Sequence, residues 1–222
     1  VDFSFLICSI NSNKEYHKTI IESIESQNIP NYEIISIGCE IPGARFIEFD
    51  ETIRNGWITK KKNILAKEAK YDNLVLMHDY IMLNHNWYEN YKYFEDFNVC
   101  MNPIFNYDYS RFRDWCLWAL DVDKYLYNRE FLLPYQEKSL SKLMYISGAY
   151  FLVKKQFILD NPLNEDLLWG ESEDVEWSKR VREITEFKIN TQSSVRLLKQ
   201  KWMDFNFMND ERLKLFKYQI GV

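Results

Sequence analysis

The stretch FSFLICSINSNKEYHKTIIESIESQNIPNYEIISI, residues 3–37, decides the fold. Phe3 to Cys8 is a continuous apolar run that gives way to the polar loop Ser9-Ile10-Asn11-Ser12-Asn13. An apolar run this short, closed by turn residues, reads as a strand buried on both faces. Over 14–27, Tyr16, Ile20, Ile21 and Ile24 recur at helical spacing, and Pro30 marks the turn into a second apolar run, Tyr32 to Ile37. Strand, helix and strand in that order predict two parallel strands joined by a right-handed crossover.

Outward from this unit the pattern continues. A short strand at 46–49 precedes Asn55-Gly56 and a lysine-bearing helix at 57–70, and Asn73 to Met77 forms another buried strand ending at His78-Asp79-Tyr80. This order predicts an α/β fold, an open, mostly parallel twisted sheet with helices on both faces and a ligand crevice at the carboxyl ends of its strands. The second half differs in texture. It holds a strand at 97–101, a long aromatic and charged stretch at 105–140, and a strand at 144–153 around Gly148. A helix follows from Ser172 or Asp174 to about Glu186, then a short strand within 187–198 and an aromatic tail with Trp202, Phe205 and Phe207. No repeat or linker divides the 222 residues, so one domain is expected, made of halves 1–104 and 105–200 and the tail 201–222.

Composition narrows the function. At 46% hydrophobic and 17% aromatic residues the chain is too apolar for disorder, and it is rich in flat rings suited to stacking on sugars or bases. A formal charge of -5 gives no electrostatic case for nucleic-acid binding, so any anionic ligand must be held locally. Cys8, Cys39, Cys100 and Cys116 form no C-x-x-C pair, and three histidines complete no zinc pattern, which predicts reduced, buried thiols. No stretch approaches the ~18 continuous apolar residues of a membrane span. The start Val1-Asp2-Phe3-Ser4 lacks the plan of a signal peptide, so a cytoplasmic location is expected. The aromatic tail offers a contact for a second copy or an additional domain.

Several familiar signatures fail. Gly38 and Gly43 have the spacing of a phosphate loop, but Ala44-Arg45 follows in place of Lys-Ser/Thr, and no G-x-G-x-x-G occurs. Gly170-Glu171-Ser172-Glu173-Asp174 lacks the second glycine of a nucleophile elbow. What remains is an ordered set of four segments. They are the polar loop Ser9 to Asn13, the run Gly56 to Asn63 with Lys60-Lys61-Lys62, the strand end His78-Asp79-Tyr80, and Gly170 to Trp177 opening a helix.

In that order the segments resemble the GT-A fold glycosyltransferases, in particular the large inverting family that builds surface polysaccharides, over roughly residues 3 to 190. The resemblance implies a transferase that moves a sugar from a nucleotide-sugar donor to a glycan or other hydroxyl acceptor. A divalent metal, Mn²⁺ or Mg²⁺, would steady the donor's diphosphate through Asp79. The family has an Asp-x-Asp motif here, whereas this chain has His78 before Asp79 and Ile81 at the second motif position. Lys62-Asn63 matches the family's basic residue and asparagine, and with Ser9, Ile10, Asn11, Glu40 and His78 completes the expected donor site. Glu173-Asp174 matches the acidic pair that supplies the general base, with Asp174 as first choice. Gly148 matches a small-residue strand against which the sugar packs, and Trp115 and Trp177 are expected on the acceptor side. Two rivals stay open: a sugar nucleotidyltransferase, and a catalytically inactive glycan- or nucleotide-binding domain, which the incomplete Asp-x-Asp pattern suggests.

Overall fold

A computed structural model of the chain describes residues 1–118, 130–201, 206–207 and 210–220. In chain order the first half comprises β1 (Phe3–Cys8), α1 (His17–Glu25), β2 (Tyr32–Ile37), β3 (Arg45–Ile47), α2 (Ile58–Glu68), β4 (Asn73–His78), β5 (Ile81–Leu83), α3 (Trp87–Tyr91), β6 (Val99–Met101) and β7 (Ile104–Phe105). The second half continues with β8 (Cys116–Trp118), β9 (Glu130–Leu132), β10 (Met144–Tyr145), β11 (Tyr150–Lys154), α4 (Lys155–Asp160), α5 (Glu173–Val181), β12 (Phe187–Ile189), β13 (Val195–Leu197), β14 (Asn206–Phe207) and α6 (Asp210–Ile220).

The central sheet has seven strands in the order β12-β6-β11-β4-β1-β2-β3. Within it β11 is antiparallel to both neighbours, β4 and β6, and the other pairs are parallel, giving an open, mostly parallel sheet. Alternation along β1 feeds two cores, because successive side chains of a strand point to opposite faces. Leu6 and Cys8 pack with Leu65 of α2 and Trp177 of α5. Phe3, Phe5 and Ile7 pack on the other face with Ile20, Ile21 and Ile24 of α1 and with Trp87 and Tyr91 of α3.

Two sequence expectations are corrected by the pairing. The strand expected over 144–153 is two strands: β10 pairs with β8 in a four-stranded sheet, β11 joins the central sheet, and the turn Ser147 to Tyr150 separates them. The segment 187–198 likewise divides, β12 closing one edge of the central sheet and β13 pairing antiparallel with β5. That second pairing is extended when the Leu198 amide donates to the Tyr80 carbonyl at 2.8 Å, which carries Lys199 and Lys201 alongside the end of β4.

At the C-terminus Trp202 and Phe205 of the expected aromatic tail lie outside the described residues. α6 sets Leu213 and Phe216 into the chain's own core, and Lys217 pairs with Glu137 at 2.6 Å. Among the described residues, no helix is long and apolar enough to cross a membrane.

Candidate active site

Two adjoining cavities open at the carboxyl ends of β1 and β4, with volumes of about 380 and 350 Å³. His78, Tyr80, Trp169 and Lys201 line both, so they form one cleft. The first cavity is walled by Ile10, Asn13, Gly56, Lys61, Asp79 and Lys199, the second by Arg113, Gly148, Glu173 and Asp174. Cys8 also faces the first cavity, but burial pushes its thiol up to about 11, which leaves it a poor nucleophile.

Asp79 is the hub of the first loop and is 2% exposed. Its Oδ2 accepts hydrogen bonds from the Ser9 hydroxyl at 3.0 Å and the Ile10 amide at 2.6 Å, and its Oδ1 accepts the Asn13 amide at 2.6 Å. His17 Nε2 lies 3.7 Å away. A carboxylate so occupied braces the loop after β1 against the end of β4. A divalent ion needs several oxygen ligands, commonly one or two carboxylates and waters around it. Three of the four lone-pair sites of Asp79 are taken by loop donors, and the wall beside it carries Lys61, Lys199 and Lys201. The donor set at Asp79 does not fit a divalent metal.

The three adjacent lysines of α2 point three ways, as a helix turning about 100° per residue requires. Lys60 pairs with Glu165 at 2.6 Å, Lys61 pairs with Glu51 at 2.5 Å, and Lys62, only 1% exposed, donates to the Gly148 carbonyl at 2.7 Å. Lys62 therefore stands behind the cleft wall and lines neither cavity. Asn63 is also turned inward, exchanging hydrogen bonds with the backbone of Leu163 and donating to Glu165. The segment 54–63 works as a bracket: Arg54, Trp57 and Thr59 donate to carbonyls of Glu165, Asp166 and Leu167, and the Trp169 amide donates to the Gly56 carbonyl. It holds the loop that carries Trp169 and the acidic pair.

That loop turns sharply. Gly170 has φ +84° and Ser172, without glycine's freedom, has φ +61°, a conformation that typically costs ~1–3 kcal/mol and occurs often at functional sites. It places Glu173 and Asp174 in the first turn of α5. Asp174 Oδ2 accepts the Gly148 amide at 2.9 Å, and Oδ1 accepts the Val175 amide at 2.9 Å. Glu173 is buried beside it, and desolvation, against the pull of Lys62, raises its carboxyl above the usual range. Gly148 is thus fixed from both sides, its carbonyl by Lys62 and its amide by Asp174.

On the cationic side, Lys201 donates to the Tyr80 hydroxyl at 2.6 Å and Lys199 to the Asn13 side-chain oxygen at 3.0 Å. Burial, with Lys199 and Arg113 near, brings the Lys201 ammonium down to about 8. His78 Nδ1 lies 2.8 Å from the Tyr80 hydroxyl. Burial, with Lys62 and Lys201 close by, holds His78 well below the usual imidazole range, so its ring is neutral.

The remaining expected residues are placed as follows. Ile10 lines the first cavity, Ser9 lies behind it on Asp79, and Asn11 opens the 3-10 turn after β1. Glu40 is exposed in a separate hollow with Lys14 and Lys18. Trp115 and Trp177 are not on the cleft: both are buried in the core, Trp115 donating to the Glu137 carbonyl and Trp177 to that of Asn161. In their place stands Trp169, 63% exposed and lining both cavities, together with Lys199 and Lys201, none of which the sequence reading singled out.

No protein-family model matches the sequence, and no curated protein is significantly similar to it. The fold does have solved neighbours. A structure of GalNAc-T7 with UDP, GalNAc and Mn²⁺ aligns with a TM-score of 0.65 at 15% identity, covering 100% of this chain and 48% of that one. A structure of S. aureus TarS residues 1-349 with UDP-GlcNAc aligns with a TM-score of 0.61 at 12% identity, covering 99% of this chain and 66% of that one. This chain spans about half the length of the first and under two thirds of the second. Both neighbours are GT-A fold glycosyltransferases, and the present chain has the GT-A fold.

Proposed function

We propose that this protein transfers a sugar from a nucleotide-diphosphate-sugar donor to a hydroxyl of a glycan or other acceptor, with inversion at the anomeric carbon. The observation that carries the reading is one cleft with a cationic wall at one end, Lys199 and Lys201, and a carboxylate pair, Glu173 and Asp174, at the other. The nucleotide half, 1–104, would seat the base and diphosphate beside Ile10 and Asn13, and the half from 105 to 200 would receive the acceptor near Gly148.

Asp174 takes the acceptor hydroxyl's proton while its oxygen bonds to the anomeric carbon. The bond from that carbon to the phosphate oxygen breaks, and its electron pair leaves with the nucleoside diphosphate. Two backbone amides orient the Asp174 carboxylate and leave each oxygen a free lone pair for the proton. Positive charge beside the leaving group stabilises the charge that grows there. Exposed Trp169, at the junction of the cavities, offers a stacking face for the sugar. The neighbours seen with UDP, UDP-GlcNAc and, in one case, Mn²⁺ support a nucleotide-sugar donor, while the metal expected at Asp79 is left out because its donor set does not fit. A cytoplasmic location belongs to the same reading, supported by four buried cysteines that form no disulfide.

Release of nucleoside diphosphate from a panel of UDP-, GDP- and dTDP-sugars, measured without acceptor, tests the proposal. Slow hydrolysis of one donor is expected. Binding without any release, with or without acceptor glycans, would return the chain to the second reading, a glycan- or nucleotide-binding domain, which the engagement of Asp79 by three loop donors favours.

A further inference from the structure

Lys199 and Lys201 follow β13 in the bend that the Leu198–Tyr80 hydrogen bond ties to the end of β4, and both line the first cavity. Their ammonium groups lie at 4.3 Å each from the centre of the Tyr80 ring. Both donate to neutral oxygens, those of Asn13 and Tyr80, and among the described residues neither has a carboxylate within ion-pair distance. Two half-buried positive charges in one cavity wall, against the single carboxylate of Asp79, leave positive charge that an anion would balance.

His78 adds a neutral donor. The Tyr80 oxygen accepts from Lys201 and lies 2.8 Å from His78 Nδ1, and in the tautomer whose Nδ1 accepts the Tyr80 proton the ring hydrogen is on the other nitrogen. The ring hydrogen then sits on Nε2, which is buried, has no hydrogen-bond partner, and belongs to the residue that lines both cavities. An unpaired buried N–H costs free energy until an acceptor arrives.

We infer that Lys199, Lys201 and the Nε2–H of His78 clamp the donor's diphosphate where a divalent ion would otherwise stand, so that donor binding needs no metal. This rests on the nucleotide-sugar reading above and deepens it. Two ammonium groups and one ring N–H in the wall of a cavity of about 380 Å³ suit a diphosphate, whose oxygens can accept from all three.

Calorimetric titration with UDP, GDP, dTDP and inorganic pyrophosphate, each in EDTA and in Mn²⁺, tests it. At least one nucleoside diphosphate is expected to bind with the same Kd, within about twofold, in both. Lys201→Met should weaken that binding at least tenfold, and Lys201→Arg should keep most of it. Lys199→Met, at the rim, serves the same purpose should Lys201→Met fail to fold. Binding that appears only with Mn²⁺, or a Kd unchanged in both methionine variants, overturns the clamp and leaves the transferase reading standing. If no nucleoside diphosphate binds in either buffer, both fall.

Discussion

Asp174 and Gly148 are in direct contact: Oδ2 of the carboxylate accepts the glycine amide at 2.9 Å, and a Cβ placed on Gly148 would stand 3.1 Å from both that oxygen and the Asp174 Cβ. The glycine is therefore required by a side chain of the acidic pair rather than by its own backbone angles. Gly148→Ala should push Asp174 by a few tenths of an ångström, and Asp174 cannot yield freely because the Val175 amide holds its other oxygen. Transfer is expected to fall about tenfold or more, since small misplacements of reacting groups are costly. The stability loss should stay within ~1–3 kcal/mol. Turnover compared with the melting transition checks this; a large loss of fold with normal turnover per folded molecule contradicts it.

Lys62 separates a structural from a ligand-binding lysine. Lys62→Met keeps an unbranched side chain but removes the ammonium that lies over the Phe151 ring and leaves the buried Gly148 carbonyl without its donor. The expected outcome is a stability loss of ~1–3 kcal/mol, the usual cost of an unsatisfied buried group. Nucleoside diphosphate affinity should change less than about threefold, in contrast to Lys201→Met. Chemical denaturation and titration calorimetry on the same variant give both numbers.

The architecture was readable where local pattern decides it. The β-α-β unit, the strand 73–77 and the acids opening α5 all follow from residues close in sequence. Three features depend on distant pairings and were not readable. Lys199 and Lys201 reach the cleft only because β13 pairs with β5, and nothing in 187–201 announces that partner. The Gly148 turn looked like mid-strand because the flanking strands, β10 and β11, are both apolar although they belong to different sheets. In Lys60-Lys61-Lys62 the composition was plain but the direction of each side chain was not. Trp115, Trp169 and Trp177 show the same limit, since of these three the packing leaves only Trp169 exposed.

Affinity for the diphosphate should depend on pH through Lys201, whose ammonium burial brings to about 8 from 10.5. Below pH 8 the lysine is charged and attracts the anion; as pH rises through 8 the free protein loses that charge and Kd should rise. The folding stability of the free protein, read by denaturation, should respond in the opposite sense and rise with pH. A lysine whose folded value is depressed penalises folding while it is protonated in both states, and the penalty is relieved between about 8 and 10.5. Titrations from pH 6.5 to 9 on the unmodified protein and on Lys201→Met check this: the methionine variant should lose the slope in both quantities.

The acidic pair divides into a base and a neighbour, and the two can be told apart. Asp174 is oriented by two amides toward Gly148, whereas Glu173 has its carboxyl raised by burial and faces the same cavity. A base must both point at the acceptor hydroxyl and be ionised, and fixed orientation is what the Asp174 amides supply. Asp174→Asn keeps the shape but removes the basic lone pair, so transfer should fall ~10²–10⁴-fold with donor affinity nearly constant. Glu173→Gln should cost far less, because it leaves the oriented Asp174 carboxylate in place. If Glu173→Gln abolishes transfer while Asp174→Asn does not, the base is the neighbouring residue and the amides of Gly148 and Val175 serve only to build the turn. The anomeric configuration of the product, read by NMR, provides the independent check: inversion is required of a single displacement with one carboxylate base, and a retained configuration would remove that role from both acids.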